Sequence, residues 1–266
     1  MESRKFGTKI ESREEEPKHN VIIVDFLRHG TTQYLENSIS FEDREALNGK
    51  HPRDLTPEGE LEVKKTVEKI VQKINPETDI VVLWSSPAWR AQGSEEILRE
   101  LLEEKGIEIY KDSSIKSMRN FDQHDEEFMK DLWDKIAPTG KSAELMYSRD
   151  PELQEKNDKF ESQPEVKRRA GRVFNQIRYL AEHANLKGKR LHIIGVTHFE
   201  FINPIMEDIF GLKVEEGKGI EKGEEITIKF DYNPQIKEMK ISADFRGEHK
   251  DQINFDKEKR VFTIEK

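Results

Sequence analysis

Two arginines and two histidines of this sequence come soon after short apolar runs, where an α/β protein places its ligand-binding groups. These residues are Arg28, His29, Arg90 and His198. A guanidinium group binds phosphate oxygens through two parallel hydrogen bonds and stays charged at any working pH. A neutral imidazole can attack phosphorus through a ring nitrogen and form a phosphoramidate. The set therefore predicts a pocket for a phosphate dianion, in which one histidine could be a nucleophile and the other a hydrogen-bond donor.

Three apolar, β-branched runs predict the buried strands that would position these residues. The runs are Val21–Leu27, Ile80–Trp84 and Leu191–Val196. Helical signals lie between and after them: a helix from Thr56 with Leu61 and Val63 on its inner face, a helix capped by Ser86-Pro87, a helix opened by Pro164, and a helix over Phe199–Phe210. Ligands of such sheets bind beyond the carboxyl ends of the strands, so the four residues are expected at one edge. Two of the three segments run straight into helix N-termini, whose N–H groups favour anions.

The alternation of strands and helices predicts the fold class. We expect an α/β three-layer sandwich, with a mostly parallel central sheet and helices on both faces. The alternating segments ITIKFDY, MKISADF and RVFTIE predict antiparallel strands at the C-terminal edge of that sheet. A highly charged tail over residues 1–18 should precede a single domain over 19–266. Residues 113–163 are polar and too few to hold much core, so we interpret them as a helical insertion over the active site.

Each candidate residue taken alone has an ordinary structural interpretation. A single histidine after a strand is more often structural than catalytic, Arg90 alone would form surface ion pairs, and His198 alone could cap a helix. Their joint placement at the ends of one sheet is harder to explain in that way. Next to them, Gly30 would let the backbone approach a phosphate closely, and Thr32 could donate from its hydroxyl. The glycine-rich segment Gly217–Gly223 does not match a dinucleotide fingerprint and predicts a flexible loop.

Composition excludes several classes of protein. The 266 residues carry a formal net charge of -9, which disfavours nonspecific binding to nucleic acid or to a membrane. The chain has no cysteine, so disulfides, thiol catalysis and zinc–cysteine sites are excluded. The N-terminal stretch has no apolar signal-peptide core, and no apolar run approaches membrane-spanning length. We therefore expect a cytoplasmic protein.

Four segments resemble the motifs of the histidine phosphatase superfamily, the phosphoglycerate-mutase-like group. FLRHGTT (Phe26–Thr32) is similar to its defining Arg-His-Gly motif, and DLTPEGE (Asp54–Glu60) to its helix start. SSPAWRAQGSEEI (Ser85–Ile97) is similar to its Ser-Pro-x-x-Arg-Ala segment, and VTHFEFI (Val196–Ile202) to the segment with the second histidine. The motifs occur in the family's order over about residues 20–210. The Arg-His-Gly tripeptide alone is moderately specific, but the ordered set is highly specific.

The resemblance implies roles for the strand-end residues. His29 would be the phosphorylated nucleophile, and Arg28, Arg90 and His198 would bind the transferring phosphoryl group. For a phosphatase it also implies no metal and no organic cofactor. These roles agree with the dianion pocket that the residue types predict.

The sequence departs from the family pattern at the proton donor. Asn120 stands where many members carry a glutamate, and an amide cannot protonate a leaving alkoxide. Glu200, shortly after His198, resembles the acid of other branches, and we expect it to be the general acid, with Asp122 second. Two alternatives stay open: Glu200 could only complement the helix dipole, or a substrate with a good leaving group could need no acid.

These observations favour a metal-independent phosphomonoester hydrolase acting on a small phosphorylated substrate. A phosphoglycerate mutase is the first alternative, although Leu35 stands where an asparagine is expected and residues 113–163 resemble no mutase cap. A phospho-ligand sensor that has lost its acid is the second alternative, and Asn120 is the feature in its favour. The sequence predicts neither the substrate nor the oligomeric state.

Overall fold

The computed structural model describes residues 19–32, 53–120, 161–213 and 219–264, and the single positions 127, 130, 131 and 134. Its strands are β1 (Asn20–Arg28), β2 (Asp79–Ser85), β3 (Ile109–Ser114), β4 (Arg190–Thr197), β5 (Glu225–Asn233), β6 (Glu238–Phe245), β7 (Glu248–Lys250), β8 (Ile253–Asp256) and β9 (Val261–Ile264). Its longer helices are α1 (Pro57–Lys73), α2 (Trp89–Glu104), α3 (Gln163–His183) and α4 (Phe199–Phe210), and a short 3-10 helix covers Lys116–Met118. The charged N-terminal tail and most of the predicted insertion lie outside the described residues.

A seven-stranded sheet with the order β3-β2-β4-β1-β5-β6-β7 forms the middle of the molecule. The pairs β3–β2, β2–β4 and β4–β1 are parallel, whereas β1–β5, β5–β6 and β6–β7 are antiparallel. The predicted α/β class with an antiparallel C-terminal edge is therefore confirmed. Because β1, β2 and β4 run in the same direction, their carboxyl ends meet at one edge of the sheet.

Helices cover both faces of this sheet, as predicted. On one face α1 and α2 contribute core residues such as Val67 and Leu98, and on the other α3 and α4 contribute Phe174 and Phe201. Strand β1 belongs to both cores, since successive side chains of a strand point to opposite faces. The three layers follow from this alternation.

The sheet also buries an aspartate–histidine pair away from the strand ends. Asp25 on β1 and His192 on β4 are both fully buried, and the Asp25 Oδ2 atom lies 2.6 Å from His192 Nε2. The Thr227 hydroxyl donates to the same carboxylate, and Lys73 Nζ lies 3.5 Å from it. Burial alone would raise the pKa of Asp25, but these partners together lower it. His192 is thus a core residue of the sheet.

Three local predictions were wrong. Leu61 is 66% exposed, because it lies two positions from the buried Val63 and therefore about 200° away around the helix. Helix α2 begins at Trp89 after Ala88, without a side-chain cap, so Ser86-Pro87 does not cap it. The run Ile107–Tyr110 predicts a short strand, but the observed β3 starts later, at Ile109, and continues to Ser114, into the start of the expected insertion.

The last strand does not join the main sheet. Strand β9, in the segment RVFTIE, pairs with β8 in a separate two-stranded sheet, so its predicted place at the main sheet edge was wrong. The rings of Phe255 and Phe262 lie 6.1 and 4.7 Å from that of Phe174. The apolar side chains of the small sheet therefore cover α3.

Candidate active site

Main-chain hydrogen bonds hold the ends of β1, β2 and β4 side by side. The His29 N–H donates to the Thr197 carbonyl at 3.1 Å, and the Ser86 N–H donates to the Val196 carbonyl at 2.9 Å. The segments that follow the three strands are therefore fixed against one another. The rings of His29 and His198 meet at this edge of the sheet in a T-shaped contact, with centroids 5.1 Å apart and planes at 62°.

Hydrogen bonds at both ring nitrogens hold His29 in one orientation. Its Nδ1–H donates to the Gly30 carbonyl at 2.8 Å, while Nε2 accepts a hydrogen bond from Arg90 Nε at 3.1 Å. Burial is the main reason that the pKa of His29 lies well below its usual value, and the charges of Arg90 and Arg28 lower it further. A neutral ring with Nδ1 protonated has its lone pair on Nε2, which is the requirement for a nucleophile.

The main chain that follows His29 packs so closely against the start of α1 that two positions there have no space for a side chain. A Cβ on Gly30 would lie 2.3 Å from the Gly59 carbonyl oxygen, and a Cβ on Gly59 would lie 2.2 Å from the Thr31 carbonyl oxygen. The Glu62 carboxylate accepts from the Thr31 N–H at 2.9 Å. The N-terminal turn of α1 is thus bound directly to the end of β1, which gives the helix-start motif a structural reason.

Arg28 lines the other side of β1. Its Nη1 donates to the Ile220 carbonyl at 2.7 Å, and its guanidinium lies over the Phe199 ring, 5.2 Å from the centroid. The side chain is only 4% exposed. Hydrogen bonding and aromatic packing fix its position next to the two histidines, and its charge contributes to the lowered pKa of both rings after burial and Arg90.

His198 is 1% exposed, and its ring contacts the hydroxyl of Ser86. Its Nε2 lies 2.7 Å from the Ser86 hydroxyl oxygen. Burial first, and then the positive charge of Arg90, hold the pKa of His198 well below its usual value. The ring is therefore neutral near pH 7, so it carries a single N–H.

Among the described residues, several buried polar atoms have no hydrogen-bond partner, and His198 Nδ1 and Thr32 Oγ1 are among them. Buried polar groups are rarely left unpaired, and each one needs an explanation, such as a ligand or a water. Both lie in the segments that the sequence singled out for anion binding. The structure thus brings Arg28, His29, Arg90 and His198 together through contacts, with Gly30 and Thr32 in the adjoining turn.

Lys222 is a further cation of this region that the sequence reasoning missed. The Gly223 N–H donates to the Arg28 carbonyl at 3.1 Å, so the turn that carries Lys222 lies against β1. After burial and the two arginines, the charge of Lys222 also lowers the pKa of His29. Its acidic neighbours Glu221 and Glu224 form ion pairs with Arg246 instead. Part of the predicted flexible loop thus belongs to the site, although no motif marks it.

Of the two expected proton donors, Glu200 lies within the described residues and Asp122 does not. Glu200 is half-buried in the first turn of α4, two residues after His198. Asp122 lies outside the described residues. Asn120 is described, and its main-chain carbonyl accepts from Arg169 at 2.6 Å. The role of Glu200 as the acid therefore stays a prediction.

Arg169 on α3 binds the described residues at both ends of the predicted insertion. It is 1% exposed, and it donates twice to the Glu161 carboxylate, each at 2.8 Å. It also donates to the carbonyls of Ser117, Arg119 and Asn120 at 2.6, 2.9 and 2.6 Å. One guanidinium therefore fixes residues 117–120 against Glu161, close enough to His198 to contribute to its lowered pKa after burial and the nearer charges.

In the described part of the chain, no group of three or more His, Asp or Glu side chains could hold a metal ion. Within the same residues, no helix is long and apolar enough to cross a bilayer.

Comparison with solved structures supports the same architecture. A mycobacterial structure described as hydrolase 1 superposes with a TM-score of 0.53 at 14% identity, covering 87% of this chain and 100% of its own. The mycobacterial glucosyl-3-phosphoglycerate phosphatase gives a TM-score of 0.52 at 17% identity, covering 86% of this chain and 99% of its own. At these identities the similarity shows the fold alone.

Sequence comparison is decisive for the family. A search of curated proteins gave no significant match. The model of the histidine phosphatase superfamily, branch 1, matches residues 24–241, which include every described strand-end residue discussed above. The chain therefore belongs to the histidine phosphatase superfamily.

Proposed function

We propose that this protein is a metal-independent phosphomonoester hydrolase that works through a phosphohistidine at His29. The observation that carries the proposal is the pairing of a neutral His29, whose Nε2 is directed by Arg90, with a buried and unpartnered His198 Nδ1 among the described residues. A phosphoryl group between the two rings would meet a nucleophile on one side and a hydrogen-bond donor on the other. Membership of the superfamily supports this assignment.

In the first step, His29 Nε2 attacks phosphorus in line. The phosphorus–oxygen bond to the leaving group breaks, and its electron pair goes to the leaving oxygen. Arg28, Arg90 and His198 stabilise the charge on the three equatorial oxygens. Glu200 protonates the leaving oxygen, with Asp122 as the second candidate.

In the second step, water attacks phosphorus while the phosphorus–nitrogen bond breaks and its electrons return to Nε2. The same carboxylate takes a proton from the water and so regains its starting form. The products are the alcohol and inorganic phosphate. A small phosphorylated molecule is the class of substrate that this site would take, and the predicted insertion over residues 113–163 would contribute to its selection.

The test of this proposal is hydrolysis of p-nitrophenyl phosphate in the presence of EDTA. We expect EDTA-resistant turnover in the parent, a fall to background in His29→Ala, and no change in His183→Ala, which removes an exposed histidine of α3. Acid-labile, base-stable phosphate on the quenched parent protein, absent from His29→Ala, would identify the phosphoramidate. Turnover that stops with EDTA, or that survives His29→Ala, would contradict the proposal.

The general acid is tested by comparing leaving groups. We expect Glu200→Gln to lose about 10²- to 10⁴-fold in kcat on an alkyl phosphate and little on p-nitrophenyl phosphate, whose leaving group needs little protonation. Glu207→Gln, at the other end of α4, is the control. Equal losses on both substrates would remove Glu200 from this role.

A second function is kept open by Asn120 alone. If the parent binds phosphate without hydrolysing any ester, a phospho-ligand sensor becomes the better description. If it exchanges phosphate between positions of one substrate rather than releasing it, the mutase alternative replaces the hydrolase.

A further inference from the structure

Ser86 contacts the ring of His198. It does not cap helix α2, as the sequence had suggested, because the cap residue of that helix is Ala88. The Ser86 side chain is fully buried, and its hydroxyl oxygen lies 2.7 Å from His198 Nε2. The same oxygen accepts the Ala88 N–H at 3.3 Å. The main-chain bond from Ser86 to Val196 keeps the serine beside the end of β4, two residues before His198.

The hydrogen atoms of this pair can be arranged in two ways. A neutral imidazole carries one N–H and one bare nitrogen, and a serine hydroxyl carries one hydrogen and two lone pairs. Either His198 Nε2–H donates to Ser86, which leaves Nδ1 bare, or the Ser86 O–H donates to Nε2, which requires the proton to be on Nδ1.

The surroundings of Nδ1 decide between the two arrangements. Nδ1 is buried, has no hydrogen-bond partner in the described part of the chain, and belongs to a ring that faces His29 at 5.1 Å. A bare lone pair there would repel a phosphoryl dianion, whereas an N–H would donate to it. The Ser86 oxygen already accepts a hydrogen bond from the Ala88 N–H. Its own O–H is still available as a donor, and donation to Nε2 would use it.

We propose that Ser86 is a positioning residue: its hydroxyl donates to His198 Nε2 and so places the ring proton on Nδ1, directed at the phosphoryl group. The inference rests on the proposed function for the identity of that group. It assigns to Ser86 no contact with substrate, because the serine acts through the histidine. Partners of this kind, which fix the tautomer of a functional histidine, change affinity or activity by about 10- to 100-fold when removed.

The direct test is the ¹⁵N spectrum of histidine-labelled protein, in which protonated and bare ring nitrogens give separate signals. The His198 signals are assigned by their absence from His198→Gln. We expect a protonated Nδ1 and a bare Nε2 in the parent, both without ligand and with inorganic phosphate. A parent spectrum with the proton on Nε2 would overturn the proposal without any variant of the serine.

Ser86→Ala supplies the second test. We expect the Nδ1–H form to lose its predominance and the affinity for inorganic phosphate to fall by about tenfold or more. Ser85→Ala removes the adjacent buried hydroxyl and should leave both unchanged. Ser86→Thr, where thermal unfolding shows it folded, should keep the parent spectrum. If Ser86→Ala kept the parent's tautomer and affinity, the role of the hydroxyl would be refuted.

These readouts separate this inference from the proposed function. Tautomer and phosphate affinity need no turnover, so a protein that binds phosphate through Nδ1–H but hydrolyses nothing would refute only the hydrolase. A parent that hydrolyses esters with His198 protonated on Nε2 would refute only the role of Ser86. Kinetically, we expect Ser86→Ala to lower kcat more than it raises KM, since charge on the equatorial oxygens grows in the transition state.

Discussion

At the scale of single residues, the proposed site concentrates positive charge within an acidic protein, as binding of a dianion would require. The formal net charge is -9, yet Arg28, Arg90 and Lys222 all act on His29. Their charges and the burial of the ring keep His29 neutral, so the same cations that would attract phosphate also preserve the nucleophile's lone pair. Attraction and activation therefore have one physical origin.

Lys222→Met tests whether the missed cation belongs to the pocket. Removing its charge should weaken binding of p-nitrophenyl phosphate by about 1 kcal/mol, which is a rise in KM of about fivefold, with a smaller change in kcat. The reason is that Lys222 acts on His29 through its charge rather than through a hydrogen bond to the ring. Steady-state kinetics at low and physiological ionic strength measure the effect, which salt should reduce.

The matched control for this prediction is Lys189→Met. Lys189 is exposed just before β4, whose opposite end bears the site, and its removal changes the net charge by the same amount. An equal rise in KM in both variants would show that only the overall charge of the protein matters.

The candidate site residues that the sequence revealed are those that follow a recognisable strand. Arg28, His29 and His198 stand at strand ends, and periodicity is enough to find such positions. Lys222 and Ser86 were not predicted, because each is placed by residues far away in the sequence. The turn of Lys222 is bound to Arg28, and the hydroxyl of Ser86 contacts His198. Local sequence rules predicted Ser86 as a helix cap, and those rules contain no information about its contact with His198.

At the scale of elements, the end of β1 and the start of α1 pack closely because each has a glycine, without a side chain, at the contact. Gly30 and Gly59 each occupy a place where a Cβ would overlap main-chain atoms of the other segment. The helix-start motif is thus explained by close contact as well as by capping: the Thr56 hydroxyl accepts from the Gly59 N–H at 3.0 Å. The sequence predicted the cap, but the need for the second glycine became visible only in three dimensions.

Arg169→Met tests the element-scale role of the buried guanidinium. The change removes a donor from the Glu161 carboxylate and from three main-chain carbonyls. Breaking one partner of a buried ion pair costs about 3–5 kcal/mol, and we expect a loss of that size in the free energy of unfolding. Urea denaturation measures it, and phosphate affinity should fall with it, because residues 117–120 adjoin His198 through the bond from Thr197 to Met118.

Two variants make this prediction specific. Arg168→Met removes an exposed arginine from the neighbouring position of α3 and should change stability little. Glu161→Met combined with Arg169→Met should cost less than the two single changes added together, since the charges are removed as a pair. Additive losses would show that the two side chains act independently.

Element types were predictable from periodicity, whereas boundaries and pairing were less so. Helix α4 was predicted at its observed limits because its apolar pattern and its histidine and glycine ends are unambiguous. The strand of RVFTIE was recognised but assigned to the wrong sheet, because alternation predicts a half-buried strand without saying which partner covers it. The start of α2 was misplaced because the Ser86 hydroxyl contributes to the site instead.

At the scale of the whole molecule, folding keeps two imidazoles neutral that an unfolded chain would protonate. The pKa of His29 and that of His198 are lowered by burial and then by neighbouring cations, well below the usual 6.5. The unfolded chain therefore binds more protons than the folded one when the pH lies between the folded pKa values and 6.5. By linkage, stability must fall as the pH drops below about 6.5, by up to about 1.4 kcal/mol per pH unit for each ring.

Other groups titrate differently and must be separated from this effect. The pKa of Asp25 is lowered overall, despite burial, so its contribution is lost only as the pH falls below about 4. Burial raises the pKa of Glu95 and of Glu225, and the hydrogen bonds that His249 donates to Asp244 and Asp251 raise the pKa of that histidine, so these three groups favour the folded state on acidification. The total profile is a sum of opposing slopes, and only a comparison between variants isolates the two histidines.

The decisive comparison is urea denaturation from pH 7.5 to 5.5 for the parent and for His29→Gln combined with His198→Gln. We expect the parent to lose stability steeply below about pH 6.5 and the double variant to have a flatter profile, whatever its stability at pH 7.5. His183→Gln, which changes an exposed histidine, should keep the parent's slope. Parallel profiles for the parent and the double variant would mean that the rings accept protons in the folded state, and the neutral nucleophile on which the proposed chemistry depends would have to be abandoned.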